Sequence, residues 1–344
     1  MQQGRAPSSS SPVTRMSLCV LGSGSGGNCS VLAIHRRGRV HPDLVLIDLG
    51  LSPRQTRLRM QAVGLRFGDV VMGVITHFDH DHFNAGWLRP SARGQFPVRF
   101  HLDHWGWATR AGLVAADGGE PFDANCDPLP GVRIHTCRNP HDRDGSTAYR
   151  FQTAVGALGY ATDLGRVRPD LLDIFDDLDL LAIESNYCPQ LQTESDRPAF
   201  LKHRIMNGRG HLSNQEAYDA VQAVRQRSAR LRHIVLLHLS RQCNSPERIR
   251  ALYRGDRDLA RCLTLSMQTE PTAVLSIQRE PEPVQHLLFG GKTAPAASVS
   301  SDVHVRHVTG GTNVSGQAVV NSPADRRSQP EIAAGSRRPG RPSP

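Results

Sequence analysis

Short apolar runs, each stopped by a glycine or a polar cluster, recur through most of this chain. Leu18 to Gly22, Cys29 to Ile34, Leu44 to Ile47 and Val70 to Ile75 have the length and β-branched content of buried strands. Val98 to Leu102, Val132 to Cys137, Ala148 to Ala154, Leu158 to Thr162, Leu178 to Ile183, Ile234 to Leu237 and Thr272 to Ile277 read the same way. Helices are marked by their start signals. Ser52-Pro53 opens one that runs to about Val63 and stops at Gly64, and Ser245-Pro246 opens another. Ser213-Asn214-Gln215-Glu216 is a capping box for a helix from Asn214 to about Arg227. Strands interspersed with helices predict an α/β fold. Ser23-Gly24-Ser25-Gly26-Gly27-Asn28 lies between two strands, not before a helix, so it reads as a tight turn rather than a phosphate loop. Arg36 to Arg39 reads as a solvated hairpin tip, and the segment between Leu102 and Val132 as loop-rich.

One stretch changes this from a fold to a site. Directly after the strand Val70–Ile75 comes Thr76-His77-Phe78-Asp79-His80-Asp81-His82. A buried strand that delivers imidazoles and carboxylates at its carboxyl end suits zinc, manganese or iron. Other strands stop at a possible ligand too: Asp163 and His238 end strands, and His141 sits on a turn. Together they suggest one metal centre at one edge of the sheets.

Composition narrows the class. The 344 residues are 38% hydrophobic, enough for a proper core, and no apolar run reaches the roughly 18 residues needed to span a bilayer. Residues 1–15 are rich in Ser and Pro, lack the apolar centre of a secretory signal, and read as disordered. From about Glu280 apolar periodicity disappears; residues 280–344 read as a low-complexity, basic, disordered tail. Seven scattered cysteines without a Cys-x-x-Cys pair indicate reduced thiols and a cytoplasmic protein. The net charge of +9 fits a polyanionic partner such as nucleic acid.

The motifs, taken in order, resemble those of the metallo-β-lactamase superfamily, in its YycJ/WalJ-like branch of small bacterial hydrolases. The resemblance runs from about Leu18 to Leu265. It is carried by Gly22 to Asn28, Leu46 to Ser52, Ile75 to His82, Ala161 to Gly165, Gly210 to Asn214 and Leu237 to Ser240. It implies an αββα four-layer sandwich over residues 16–279, with two divalent metal ions, zinc or manganese, between the sheets. It further implies a metal-dependent nuclease or phosphodiesterase acting on DNA through a water shared by the two metals. A thioester or lactone hydrolase of the same fold, or a binding protein with an impaired metal site, is the alternative.

By that resemblance, one metal takes His77, Asp79 and His141, the other Asp81, His82 and His238, and Asp163 bridges them. Asp81 and His211 are the implied catalytic residues, His211 as a phosphate contact or proton donor. Asp48 is implied as a hydrogen-bonding support for a ligand histidine. The chain departs from the family's His-x-His-x-Asp-His at its third position, where it carries Asp79; His80, one residue on, could supply the missing imidazole. It departs again at Tyr187, where relatives carry His. The basic segment Arg197 to Arg209, with Lys202 and Arg204, and the cap residue Ser213 are candidate substrate contacts.

Overall fold

The computed structural model describes residues 11–93 and 96–279. One sheet is built from β1 (Val13–Gly22), β2 (Cys29–Arg36), β3 (Asp43–Ile47), β4 (Val70–Ile75), β5 (Val98–His101), β6 (Gly119–Phe122) and the late strand β14 (Leu275–Ile277). The other contains β7 (Asn125–Leu129), β8 (Val132–Asn139), β9 (Ser146–Thr153), β10 (Gly156–Ala161), β11 (Leu180–Glu184), β12 (His233–Leu237) and β13 (Leu263–Leu265). Their orders are β14-β1-β2-β3-β4-β5-β6 and β13-β12-β11-β10-β9-β8-β7. Each sheet is antiparallel in one part and parallel in the other: β3 to β6 are parallel in the first, β10 to β13 in the second.

The helices are α1 (Pro53–Ala62), α2 (Pro90–Arg93), α3 (Trp105–Arg110), α4 (Pro169–Ile174), α5 (Pro189–Glu194), α6 (Ala199–Met206), α7 (Asn214–Arg227), α8 (Pro246–Tyr253) and α9 (Arg257–Cys262). Three apolar cores make the layers. Leu18, Val20, Met72 and Val74 of the first sheet meet Tyr149, Phe151, Val235 and Leu237 of the second. Met60, Trp87 and Ala108 cover the outer face of the first sheet, and Phe175, Val221, Ile249 and Tyr253 that of the second. Strands buried on both faces need apolar residues at nearly every position, which is why β3 and β12 read as unbroken runs rather than alternations. This is the αββα sandwich.

The differences from expectation have local causes. β1 starts at Val13, not Leu18, because the hairpin with β2 continues through the polar pair Thr14-Arg15, so residues 13–15 belong to the strand. Residues 1–10 and the tail from Glu280 lie outside the described residues. Arg36 is not solvated: its Nε donates to Asp43 Oδ2 at 2.7 Å with both side chains buried. The segment between Leu102 and Val132 holds β6 and β7, each containing a proline. Proline disqualifies a central strand, but β6 and β7 are sheet edges, where a missing ladder donor is tolerated. The last strand is only Leu275–Ile277.

Candidate metal centre

The parallel strands β3, β4, β10, β11 and β12 deliver Asp48, His77, Asp163, Glu184 and His238 at or just beyond their carboxyl ends. β8 runs in the same direction as β10, two antiparallel steps away, and leads to His141. Segments far apart in sequence thus converge at one rim.

After Thr76 the chain leaves β4 and makes a turn in which the amides of His82 and Phe83 both donate to the Asp79 carbonyl, at 2.8 and 2.9 Å. The turn sends His80 outward, its side chain 90% exposed. Asp79 stays half-buried with Oδ2 3.8 Å from His77 Nε2. Of the two candidates for the third motif position, the structure brings Asp79, not His80, to the cluster. Asn28 braces the same turn. Its amide N–H donates to the Asp81 carbonyl at 2.7 Å, and its side-chain Nδ2 lies 3.0 Å from His82 Nε2. Gly50 must be glycine here, because a Cβ would lie 1.7 Å from the Asp81 carbonyl oxygen.

Ligand-capable atoms fall into groups whose members all lie within 4.8 Å of one another: His77, Asp79 and His141; Asp81, His82 and His238; and two groups that contain Asp163, one with His77 and His82, the other with Glu184, His211 and His238. The first two are the implied ligand triads, and Asp163 adjoins both. Three of the histidines are held through Nδ1 in a way that leaves Nε2 facing the cluster. His82 Nδ1 donates to Asp48 Oδ2 at 2.8 Å, His141 Nδ1 to the Gly210 carbonyl at 2.8 Å, and His77 Nδ1 lies 3.0 Å from Thr76 Oγ1. His238 Nδ1 faces Asp163 Oδ1 at 3.1 Å. Asp48 also accepts from the Thr76 amide at 2.8 Å, as a supporting carboxylate should.

Two observations test whether divalent cations fit. His77 Nε2 and His238 Nε2, one in each triad, are buried polar atoms with no hydrogen-bond partner. Such atoms are costly unless something other than a hydrogen bond satisfies them. Second, Asp48, Asp81, Asp163 and Glu184 are all buried, and among the described residues none of them pairs with Lys or Arg, only with histidine. Burial opposes ionisation of Asp163, but His238 and His82 outweigh it and hold its carboxyl well below the usual range. Burial likewise opposes the charge of Asp81, which His82 and His238 nevertheless bring down to about 2. Burial would lower His82 and His238, yet the carboxylates around them, Asp163 foremost, raise both. His77, pushed down by burial and by His82, is neutral. Concentrated buried negative charge balanced only by protons on imidazoles is a setting that divalent cations fit.

His211 stands beside the cluster, 20% exposed. Its Nδ1 donates to Glu184 Oε1 at 2.6 Å, which leaves Nε2 to the cleft. Glu184 also accepts from the amides of Leu164 and Leu212 through Oε2. Burial resists its charge, and His211 more than compensates, so its pKa lies below the usual value. Sequence reasoning passes over Glu184 as a strand end, although it stops an apolar strand as Asp163 and His238 do. It passes over Asn28 as part of a turn.

A cleft of about 290 Å³ opens over His211 and His238, walled by Ser25, Asn186, Arg197 and Arg204. Arg204 forms a two-pronged ion pair with Asp142, next to His141. Two proposed substrate contacts do not reach this cleft. Lys202 Nζ donates to the Thr193 carbonyl at 2.6 Å instead. Ser213 is buried and its hydroxyl is committed to the capping box with Glu216. Tyr187 packs against Ile205 and Cys243 and does not line the cleft either.

Residues 44–234 match the sequence profile of the beta-lactamase superfamily domain. The chain is 25% identical over 234 residues to an exodeoxyribonuclease WalJ of Streptococcus pneumoniae serotype 2, covering 66% of this chain and 83% of that protein. It is 25% identical over 235 residues to an exodeoxyribonuclease YycJ of Bacillus anthracis, covering 66% of this chain and 84% of the relative. Among solved structures, the Zn²⁺-bound PqqB from Methylobacterium extorquens superimposes with a TM-score of 0.54 at 17% identity, covering 75% of this chain and 99% of that one, a likeness of fold alone. No helix among the described residues is long and apolar enough to cross a membrane.

Proposed function

Since this chain belongs to the metallo-β-lactamase superfamily, in its YycJ/WalJ branch, we propose that it is a dinuclear metal-dependent phosphodiesterase that cleaves DNA. The observation that carries this reading is the pair of His/Asp triads flanking Asp163, each with a buried Nε2 that makes no hydrogen bond. His77, Asp79 and His141 would hold one divalent cation and Asp81, His82 and His238 the other, with Asp163 between them. Such cations would supply charge to polarise a phosphoryl oxygen and to make a water a better nucleophile.

The chain's own residues do the rest. Asp81 and Asp163 accept the charge of the site and fix its position. Arg197, on the wall of the cleft and held there by Gln192, Ser240 and Gln242, places a positive charge where a phosphodiester would lie. His211, held through Nδ1 by Glu184, presents Nε2 to the cleft, where it would deliver a proton to the departing alkoxide. The two relatives named as exodeoxyribonucleases support DNA as the substrate over an acyl ester.

The test is cleavage of 5′-labelled single- and double-stranded DNA with Mn²⁺, Zn²⁺ or chelator, beside an acyl-thioester panel. Chelator-sensitive cleavage of DNA is expected. Turnover of thioester but not of DNA under every metal condition would refute the reading.

A further inference from the structure

The glycine-rich turn Ser23 to Asn28 joins segments of both sheets at the rim of the metal cleft. Ser23 Oγ accepts at 2.8 Å from the amide of His238, just beyond β12, and donates to Asn28 Oδ1 at 3.1 Å. The Asn28 amide donates to the carbonyl of Asp81, beyond β4. Gln268, past the end of β13, fastens the remaining side. Its Oε1 accepts from the Gly26 amide at 2.7 Å and its Nε2 donates to the Gly27 carbonyl at 2.8 Å. A Cβ at Gly24 or Gly26 would lie 2.8 or 2.9 Å from Gln268 Oε1 and displace it, so these glycines are what admit that side chain. Arg59 in turn holds the Gln268 carbonyl, at 2.9 Å.

These contacts engage every amide of the turn but one. Ser23 donates to the Met267 carbonyl at 3.1 Å, Gly24 to Asn28 Oδ1 at 2.8 Å and Gly27 to the Gly24 carbonyl at 3.0 Å, with Gly26 and Asn28 bonded as above. Ser25 is the exception. It is exposed and lines the cleft over His211 and His238. Among the described residues, neither its N–H nor its hydroxyl has a hydrogen-bond partner. A serine in a loose loop gives such donors to water. Here the residues on both sides are fixed, so the Ser25 N–H keeps one position beside the cleft and needs no reorganisation to meet a ligand. Positive charge on the same cleft comes from Arg197, since Arg204 is paired with Asp142.

We propose that Ser25 is a substrate contact whose N–H and hydroxyl hold a non-bridging oxygen of the phosphodiester, and that Gln268 is the positioning residue that keeps it there. The proposal rests on the phosphodiesterase reading and adds to it the group that orients the phosphate. A diester shares one negative charge between two non-bridging oxygens. One of them would face the metal triads, and a fixed pair of neutral donors suits the other. The turn is no strand-to-helix phosphate loop and does not need that loop's row of amides. One residue is given to the cleft and the others anchor it.

The experiment compares the full chain with Ser25→Ala, Gln268→Ala and the double variant. Ser25→Ala should melt with the parent, because the hydroxyl it removes is exposed and bonded to nothing in the fold. The substrates are DNA with an all-oxygen cleaved linkage and DNA with a single Rp or a single Sp phosphorothioate there, sulfur being the weaker acceptor. On all-oxygen DNA, kcat/KM should fall on the order of tenfold in Ser25→Ala. For one diastereomer the penalty for sulfur should shrink by the same factor, since the hydrogen bond it weakens is already gone; for the other it should not change. Gln268→Ala should show the same diastereomer-specific change, and the double variant should lose little more than either alone. Equal falls on all three substrates, or additive losses, would make the turn a structural element only and overturn the proposal. Equilibrium binding of the all-oxygen DNA in chelator separates this result from the reading beneath it. A parent that binds this DNA but cleaves it with no metal would count against the phosphodiesterase reading. In that case weaker binding by Ser25→Ala would still support the contact, and equal binding would overturn it.

Discussion

Replacing Asp48 by Asn changes one oxygen to an NH₂ and tests how the site chooses a tautomer. Asp48 is fully buried. One oxygen accepts from the Thr76 amide at 2.8 Å, the other from His82 Nδ1 at 2.8 Å. An asparagine has one acceptor for these two donors. The Thr76 N–H cannot reverse, so the amide oxygen must face it and the NH₂ must face His82. His82 Nδ1 then has to accept and gives up its proton, so that the proton the ring keeps sits on Nε2, the nitrogen that lies among the candidate ligands. Losing a hydrogen bond to a charged group costs roughly 1.5–3 kcal/mol. Burial already opposes the charge of Asp48 and pushes its pKa up, so the neutral amide recovers part of that loss. The net change in stability of the metal-free fold should be about 1 kcal/mol. Metal affinity should fall further, roughly 10- to 100-fold, which is about 1.4–2.7 kcal/mol. Competition against a chromophoric chelator measures the affinity, denaturant melts the stability, and nitrogen NMR of the histidine rings the tautomer. An Asp48→Asn protein that folds, binds metal as tightly as the parent and keeps His82 protonated on Nδ1 would refute the reasoning.

Three further outcomes are expected. Asp79→His should shift preference from Mn²⁺ toward Zn²⁺, because imidazole replaces a hard oxygen donor; competition titrations with both metals check it, and unchanged affinities would remove Asp79 from the ligand set. Glu184→Gln should lower kcat on DNA by on the order of 100-fold with little change in KM, since the charged partner that fixes the His211 ring through Nδ1 is lost. An unchanged kcat would make Glu184 a packing residue. Ending the chain after Arg279 should leave the melting temperature within about 2 °C of the parent, because residues 280–344 offer no apolar face to bury, whereas Arg279 itself is retained for its ion pair with Asp179 at 2.6 Å.

Much of the sandwich is legible in the sequence because doubly covered strands leave a strong signal: β3 reads Leu-Val-Leu-Ile, and α7, with its capping box, spans Asn214–Arg227 as its sequence predicts. What stays hidden is decided by position in the sheet. Pro121 and Pro128 look like breakers until β6 and β7 prove to be edges. At the site, residues that end a strand are readable, because an apolar run stopping at His or Asp is conspicuous. Glu184 obeys the same rule but is followed by no motif of its own. Whether Asp79 or His80 faces inward depends on a turn closed by backbone hydrogen bonds to the Asp79 carbonyl, and no side-chain pattern encodes that. Lys202 and Ser213 do not line the cleft, since charge and cap position say nothing of which wall of a helix faces it.

The backbone at the rim explains why these residue types stand where they do. Six described residues other than glycine have positive φ, and four of them, Asp48, Asp142, Asp163 and His238, lie at or beside the centre. Asp48 and His238 come immediately after β3 and β12, and Asp163 two residues after β10. A left-handed residue at a strand end takes the chain out of the sheet abruptly and leaves the side chain at the rim. For most residues that conformation costs about 1–3 kcal/mol; Asp, Asn and His tolerate it best. Aspartate and histidine at these corners therefore meet two demands at once, being tolerated by the backbone and capable of holding metal. Glycine would relieve the backbone but supply no donor, and a glutamate or glutamine would supply a donor on a longer, looser arm. The strain concentrated there is sustained by the doubly buried strands behind it, so substitutions at Asp163 or His238 to Gly should be kinder to the fold than to Val, while both remove the donor. A Gly variant that retained full metal binding would show that the donor, not the corner, had been misassigned.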